Sequence, residues 1–292
     1  LDALKKLGMK YEIKKGYIHA SSKGKLRGKS LKFPTISVGA SQHLLMSSVL
    51  ANGKTLLKNL AIEPEVKDLT NFLNRAGAKI KWIGKRSCQI IGVKSLKETK
   101  YSVMGDRIET GTFCVAATLT SGNLSIKGFD PTLIKTELDF LKKTGAQIKL
   151  LKEEIHIKGP RKIKKINNLV TKECAGFPTD LAPQFMVLLC KANGRSSITE
   201  NIFKSRFMHV MELQRLGAKI FIKNNKAIIE GNTNFIGAEV MSSDLRASAA
   251  LVLAAISAKG TSYVSRVYHC DRGYENIEKK LKKIGARITR IN

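Results

Sequence analysis

The sequence predicts an α/β fold layered inside out: an inside-out α/β barrel of repeated β-α-β-α-β-β units, with helices inside and sheets outside. Three observations predict it. Glycines recur in two interleaved series of one period, one helix of each period is apolar on nearly all sides, and the strands alternate in polarity.

The first series runs through KKLGMKYEI (from residue 5), NRAGAKIKWI (from 74), KKTGAQIKLL (from 142), QRLGAKIFIK (from 214) and KKIGARITRI (from 282). Its glycines, Gly8, Gly77, Gly145, Gly217 and Gly285, lie 68 to 72 residues apart. The second series, Gly53, Gly122, Gly194 and Gly260, repeats every 66 to 72 residues. Two series sharing one period mark a repeat protein. Glycine suits a helix end that needs a left-handed residue.

Each period therefore reads as helix A, glycine stop, strand, helix B, glycine stop, strand, strand. Helix B is amphipathic, with Val66, Leu69, Phe72 and Leu73 on one face in one copy and Ile277, Leu281 and Ile284 in another. Pro64 and Pro131 stand near the starts of their B helices, where proline is tolerated. Strands such as Ile80-Lys81-Trp82 and Ile148-Lys149-Leu150 show one face to water. Helix A differs: 112–119, 184–190 and 247–258 are apolar or small all round, so these helices are buried on every side. Buried helices under half-exposed strands reverse the layering of a TIM barrel and do not suit a simple doubly wound sheet.

Three A helices follow residue 104 and one precedes it. The expected division is residues 1–104 as a partial first domain and 105–292 as a second domain of three repeats. The chain opens Leu1-Asp2-Ala3-Leu4 with helical spacing and no Met, so it reads as beginning inside a helix.

Composition limits the function classes. Hydrophobic residues at 43% and charged residues at 26% describe a globular chain rather than a disordered one. The longest apolar run, 247–258, is too short to span a membrane, and no leader with a cleavage signal is present. The five cysteines (88, 114, 174, 190 and 270) are scattered and odd in number, with no C-x-x-C, which fits a reducing cytosol without disulfides or zinc. A net charge of +29 suggests an anionic partner. The lysines are spread along the chain and aromatics are only 6%, so neither a basic arm nor a stacking platform for nucleic acid is visible. No nucleic-acid or membrane partner is expected; a positive field can still gather small anions.

Each A helix follows a short polar segment: 35–41, 105–110, 177–180 and 242–246. A helix start offers unpaired N–H groups and a positive dipole end to phosphate or carboxylate, or simply a capping site. Asp106, Asp180 and Asp244 read in part as caps. Asp106-Arg107, Asp244-Leu245-Arg246 and Asp271-Arg272 set acids beside arginines, either as plain ion pairs or as an anion site with a general base. The five histidines (19, 43, 156, 209 and 269) lack ligand spacing and read as core or surface residues.

The strings SVGA (37–40), DRIETGTF (106–113), FPTD (177–180), ENIFKSRFMH (200–209), SDLRASAALVLA (243–254) and DRGYE (271–275) resemble the UDP-N-acetylglucosamine enolpyruvyl transferase family over essentially the whole chain. The sister shikimate-pathway family shares the repeat but not these strings. The resemblance implies two domains of three repeats closing over a cleft, residues 1–104 lying on the UDP-sugar side. It implies a cytoplasmic enzyme of peptidoglycan synthesis, without cofactor or metal, whose partners are UDP-N-acetylglucosamine and phosphoenolpyruvate. Such transfer runs by addition and elimination, and needs an acid, a base and stabilisation of phosphate and carboxylate charge.

By resemblance, Asp180 is the general base at the sugar 3-hydroxyl. Arg272 contacts phosphoenolpyruvate, and Asp244 stands near the reacting carbons. Thr35, Ile36, Ser37 and Val38 hold the UDP-sugar, with Ile202 also lining the nucleotide site. Arg206 and Arg246 are supporting cations. The family commonly has Lys where this chain has Thr35. Six units in the family would put about 120 residues before Leu1, among them the proton-donating cysteine and a Lys-Asn pair. None of the five cysteines matches that loop, so the 292 residues alone are expected to be inactive. The alternatives are the shikimate-pathway transferase and a nucleotide-sugar-binding remnant without catalysis.

Overall fold

The computed structural model describes residues 1–203 and 205–291. The chain forms two compact units, Leu1–Met104 and Gly105–Asn292.

The first unit begins with α1 (Asp2–Lys6) and the hairpin of β1 (Met9–Lys14) and β2 (Tyr17–Ser22). A complete repeat follows: β3 (Ser30–Lys32), α2 (Val38–Ser48), β4 (Lys54–Lys58), α3 (Pro64–Arg75), β5 (Lys79–Gly84) and β6 (Ser87–Ile91). The sheet order is β3-β4-β6-β5, with β3 parallel to β4 and the rest antiparallel. Helix α2 is thus the crossover between two parallel strands, and β5–β6 folds back as a hairpin. Leu57, Cys88 and Ile90 face inward at 0% exposure, with Leu44, Leu45, Val66 and Leu73 of the helices against them. At Gly77, φ is +99°, and the N–H of Ala78 reaches Leu73 O while that of Gly77 reaches Asn74 O. That paired closure needs a left-handed residue.

The second unit repeats the plan. Its first repeat is α4 (Arg107–Leu119), β7 (Asn123–Lys127), α5 (Lys135–Lys143), β8 (Gln147–Leu151) and β9 (Glu154–Lys158), with sheet order β7-β9-β8. Next come β10 (Leu169–Val170), α6 (Ala182–Cys190), β11 (Ser196–Thr199), α7 (Val210–Arg215), β12 (Lys219–Lys223) and β13 (Lys226–Glu230), ordered β10-β11-β13-β12. The last repeat has β14 (Glu239–Met241), α8 (Leu245–Ile256), β15 (Tyr263–Ser265), α9 (Tyr268–Asp271) and α10 (Ile277–Lys283). β14 pairs parallel with β15, and residues 286–291 form no strand.

Helices α4, α6 and α8 pack on one another beneath these three sheets. Every residue of α6 is buried. Burying Phe185, Met186, Val187, Leu188 and Leu189 contributes about 1.5–3 kcal/mol each, before the entropy of ordering them. Helices therefore sit inside and sheets outside, as the apolar A helices predict.

Three local expectations need correction. Gly122 is not the left-handed residue of its helix end; Ser121 is, at φ +55°. Phe72 and Ile284 are not core: they are 38% and 48% exposed. Phe72 instead meets Tyr101 edge-on at 5.5 Å, and no strand follows Ile284 to cover it.

Candidate functional site

The FPTD segment is anchored by its phenylalanine. Phe177 is buried and packs edge-on against Phe140 at 5.2 Å and Phe185 at 4.7 Å. A tight turn over Thr179–Leu181 then leads into α6, with Pro183 in its first turn. A Cβ on Gly111 would lie 2.5 Å from a methyl of Leu181, so only glycine on α4 lets this turn come so close.

Asp180 does not cap α6. One oxygen accepts from Arg206 Nη2 at 2.6 Å and the other from Arg246 Nη2 at 2.9 Å. Arg206 also donates to Thr179 O at 3.0 Å. The arginine side chains are 16% and 15% exposed, while that of Asp180 is 36% exposed and reachable. Burial alone would raise the Asp180 pKa. The two guanidinium groups oppose it and prevail, holding the carboxyl below its ordinary value. Each oxygen keeps a lone-pair direction free for a further donor.

Arg206 comes from the loop after β11, and that loop is pinned by Glu200, which sequence reasoning passed over. Glu200 is 3% exposed. Its Oε1 accepts from Thr171 Oγ1 and from the backbone N–H groups of Ile202 and Phe203, at 2.9, 2.7 and 3.0 Å. Its Oε2 accepts from Thr179 Oγ1 at 2.8 Å. An acid directly after a strand and before an apolar turn was the available signal. Ile202 is half-buried on this loop. His209 closes it, 1% exposed, with Nδ1 at 3.1 Å from Arg206 O; burial lowers its pKa to about 4.

Asp244 is a true cap: one oxygen accepts from the N–H groups of Arg246 and Ala247, at 2.9 and 3.0 Å. Asp106 likewise caps α4 through Ile108 N and Glu109 N. The acid–arginine neighbours of the sequence do not pair with each other. Arg246 goes to Asp180, Arg107 to Glu137 at 3.6 Å, and Asp271 to Arg290 at 2.6 Å. At a helix start the acid turns back to cap while the arginine projects from the first turn. Arg272 is exposed and forms no hydrogen bond or ion pair among the described residues. Gly273 beside it packs on Leu245, so DRGYE lies against the start of α8.

Thr35, Ile36, Ser37 and Val38 belong to the first unit and lead into α2. Ser37 caps it by accepting from Ala40 N at 3.3 Å. Ile36 and Val38 pack on the core of that unit, while Thr35 and Ser37 are exposed. No acid stands in the first turn of α2, so no carboxylate there competes with an anion.

None of the five cysteines is in a disulfide. Burial pushes the thiols of Cys88, Cys114, Cys190 and Cys270 up to about 12. Among the described residues, no group of His, Cys, Asp and Glu could hold a metal ion, and no helix is long and apolar enough to cross a membrane.

The architecture is that of enolpyruvyl transferases. The enolpyruvyl transferase NikO from Streptomyces tendae superposes with a TM-score of 0.90 at 24% identity, over 99% of this chain and 71% of that one. An EPSP synthase from Acinetobacter baumannii gives 0.73 at 19% identity, over 98% and 69%. In sequence, the EPSP synthase (3-phosphoshikimate 1-carboxyvinyltransferase) family matches residues 1–281. A UDP-N-acetylglucosamine 1-carboxyvinyltransferase from Pelagibacter ubique (strain HTCC1062) is 59% identical over all 292 residues, covering 70% of its length. One from Endomicrobium trichonymphae is 46% identical over the same span and share. The chain belongs to this carboxyvinyltransferase family, on the side of the UDP-N-acetylglucosamine enzymes.

Proposed function

We infer that this protein transfers the enolpyruvyl group of phosphoenolpyruvate to the 3-hydroxyl of UDP-N-acetylglucosamine and releases phosphate. The observation that carries the reading is the 59% identity, across the whole chain, to a transferase of that name. Phosphoenolpyruvate C3 takes up a proton, the sugar oxygen attacks C2, and the hydroxyl proton leaves to a base. The tetrahedral ketal then loses a C3 proton and expels phosphate, restoring the double bond.

We assign Asp180 to the sugar 3-hydroxyl. An ionised carboxylate fixed by two arginines, with one face open, accepts a hydrogen bond from an incoming hydroxyl at no reorganisation cost. Arg272 is the free guanidinium for the phosphate or carboxylate of phosphoenolpyruvate. Asp244 sits at the start of the helix that carries Arg246 and stands near the reacting carbons. In the first unit, Thr35, Ser37 and the N–H groups of α2 suit a diphosphate, with Ile36 and Val38 packed on the core beneath them. In the second unit, half-buried Ile202 is the apolar candidate for the nucleotide. No residue of this scheme calls for a cofactor. We place the reaction in the cytoplasm, where thiols stay reduced.

The test is phosphate release from phosphoenolpyruvate with each of two acceptors, by the 292 residues supplied with the N-terminal segment that the resemblance puts before Leu1; the 292 residues alone are expected to release none. Turnover with UDP-N-acetylglucosamine and none with shikimate 3-phosphate is the expected result. The reverse preference would reject the reading.

A further inference from the structure

A polar cluster lies in the helical core of the second unit, where nearly everything else is apolar. Thr112 on α4, Gln184 on α6 and Tyr274 beyond α9 are 2%, 0% and 0% exposed. The hydroxyls of Thr112 and Tyr274 are 2.9 Å apart, and Gln184 Nε2 lies 3.1 Å from both. The guanidinium of Arg246, on α8, stands 5.9 Å from the centre of the Tyr274 ring. Three elements thus meet at one buried oxygen, with the arginine of a fourth beside the ring.

The donors fix the direction of each bond. Thr112 donates its own hydrogen to Ile108 O at 2.8 Å. Gln184 Nε2 and Arg246 have only hydrogens to offer. The Tyr274 hydroxyl therefore donates to Thr112 and accepts from Gln184, and the Arg246 guanidinium stands beside it. Both ends of the hydroxyl are engaged, and its position is set by two helices other than the one bearing Arg246. The opposite end of the same guanidinium grips Asp180 at 2.9 Å. Packing alone does not call for this cluster: apolar side chains of the same shape would fill the space without burying polar atoms, and Gln184 Oε1 is left with no partner.

We propose that Tyr274 is a positioning residue: its hydroxyl, fixed by Thr112 and Gln184, holds Arg246 in the orientation in which it pairs with Asp180. The inference rests on the assignment of Asp180 to the acceptor hydroxyl for its catalytic meaning. Its physical content, the coupling of Tyr274 to Asp180 through Arg246, stands apart from any substrate. It also gives DRGYE a second task besides presenting Arg272.

The experiment follows the side-chain carboxyl carbon of Asp180 by NMR during an acid titration of the full chain, with Asp180→Asn to assign the signal. Tyr274→Phe keeps the ring and removes only the hydroxyl oxygen. The Asp180 midpoint is expected to rise towards that of an ordinary aspartate, with the thermal midpoint nearly unchanged. Thr112→Val, which takes away the acceptor that orients the hydroxyl, is expected to move it the same way, and it decides the matter if Tyr274→Phe fails to fold. An unchanged midpoint in a folded variant would overturn the proposal. Calorimetry with UDP-N-acetylglucosamine is read separately: a shifted midpoint without sugar-nucleotide binding would reject the substrate assignment and leave the coupling standing.

Discussion

Glu200 accepts the hydroxyl hydrogen of Thr179 at 2.8 Å, one residue before Asp180, and with its other oxygen it holds the loop that delivers Arg206. One buried carboxyl group thus sets the spacing between both partners of the 2.6 Å ion pair. Glu200→Ala leaves two hydroxyls and two amide groups short of an acceptor. It is expected to destabilise the chain by about 2–4 kcal/mol, measured by denaturant unfolding. Glu200→Gln, which preserves one acceptor oxygen, should lose less.

His209 gives the fold a dependence on pH. Burial lowers its pKa from 6.5 to about 4, with nearby Asp244 raising it and Arg206 lowering it further. The unfolded chain takes up a proton that the folded chain refuses. The stability tied to neutral His209 is complete above pH 6.5 and is lost as pH falls towards 4, to a total of about 3 kcal/mol. Denaturant midpoints taken from pH 7 to 4.5 should fall in the wild type and fall much less in His209→Gln. Parallel curves would show that His209 is not the titrating group.

How much of this was legible before the structure depends on how local each signal is. The helix starts were legible because a cap is a contact over two or three residues, as at Asp106 and Asp244. The repeat was legible because Gly77 and its counterparts mark the same helix end every period. The pairing of charges was not legible. Arg246 finds Asp180 across 66 residues because the repeat stacks the starts of α6 and α8 side by side. Its nearest acid in sequence, Asp244, is already occupied by backbone N–H groups. Gln184 could have been singled out as the one amide in an otherwise apolar helix, and Thr112 as the hydroxyl opening another. Their meeting with Tyr274 joins residues 162 and 90 apart, and no spacing rule reports that.

Asp180→Asn keeps the shape of the side chain and removes its charge. Both arginines then lack a counter-ion, and the hydroxyl acceptor is weakened. With the N-terminal segment supplied and UDP-N-acetylglucosamine as acceptor, kcat is expected to fall by about 10²–10⁴, with KM for the sugar nucleotide nearly unchanged. Because Arg246 and Arg206 hold the wild-type carboxyl below its ordinary value, Asp180 should add no acid limb to the kcat profile between pH 5 and 8. A limb centred in that range and abolished by Asp180→Asn would contradict the geometry.

Gly273 tests whether the close approach of DRGYE to α8 matters for the chemistry. A Cβ there would stand 2.9 and 3.1 Å from the two methyl groups of Leu245, closer than carbon atoms tolerate. In Gly273→Ala either the Leu245 side chain turns aside or the segment moves outward, carrying Arg272 on one side and Tyr274 on the other. Overpacking of this kind costs about 1–3 kcal/mol. With the N-terminal segment supplied, a loss of about tenfold or more in kcat is expected as well, since misplaced catalytic groups are expensive. The clash is with a side chain rather than with backbone, so the remedy can be built in. Leu245→Ala makes room, and the double variant Gly273→Ala/Leu245→Ala should recover stability relative to the sum of the single changes. If it recovers stability but not kcat, then Leu245 itself is needed to seat the segment. If the single Gly273→Ala variant has normal stability and turnover, the contact plays no part in placing Arg272.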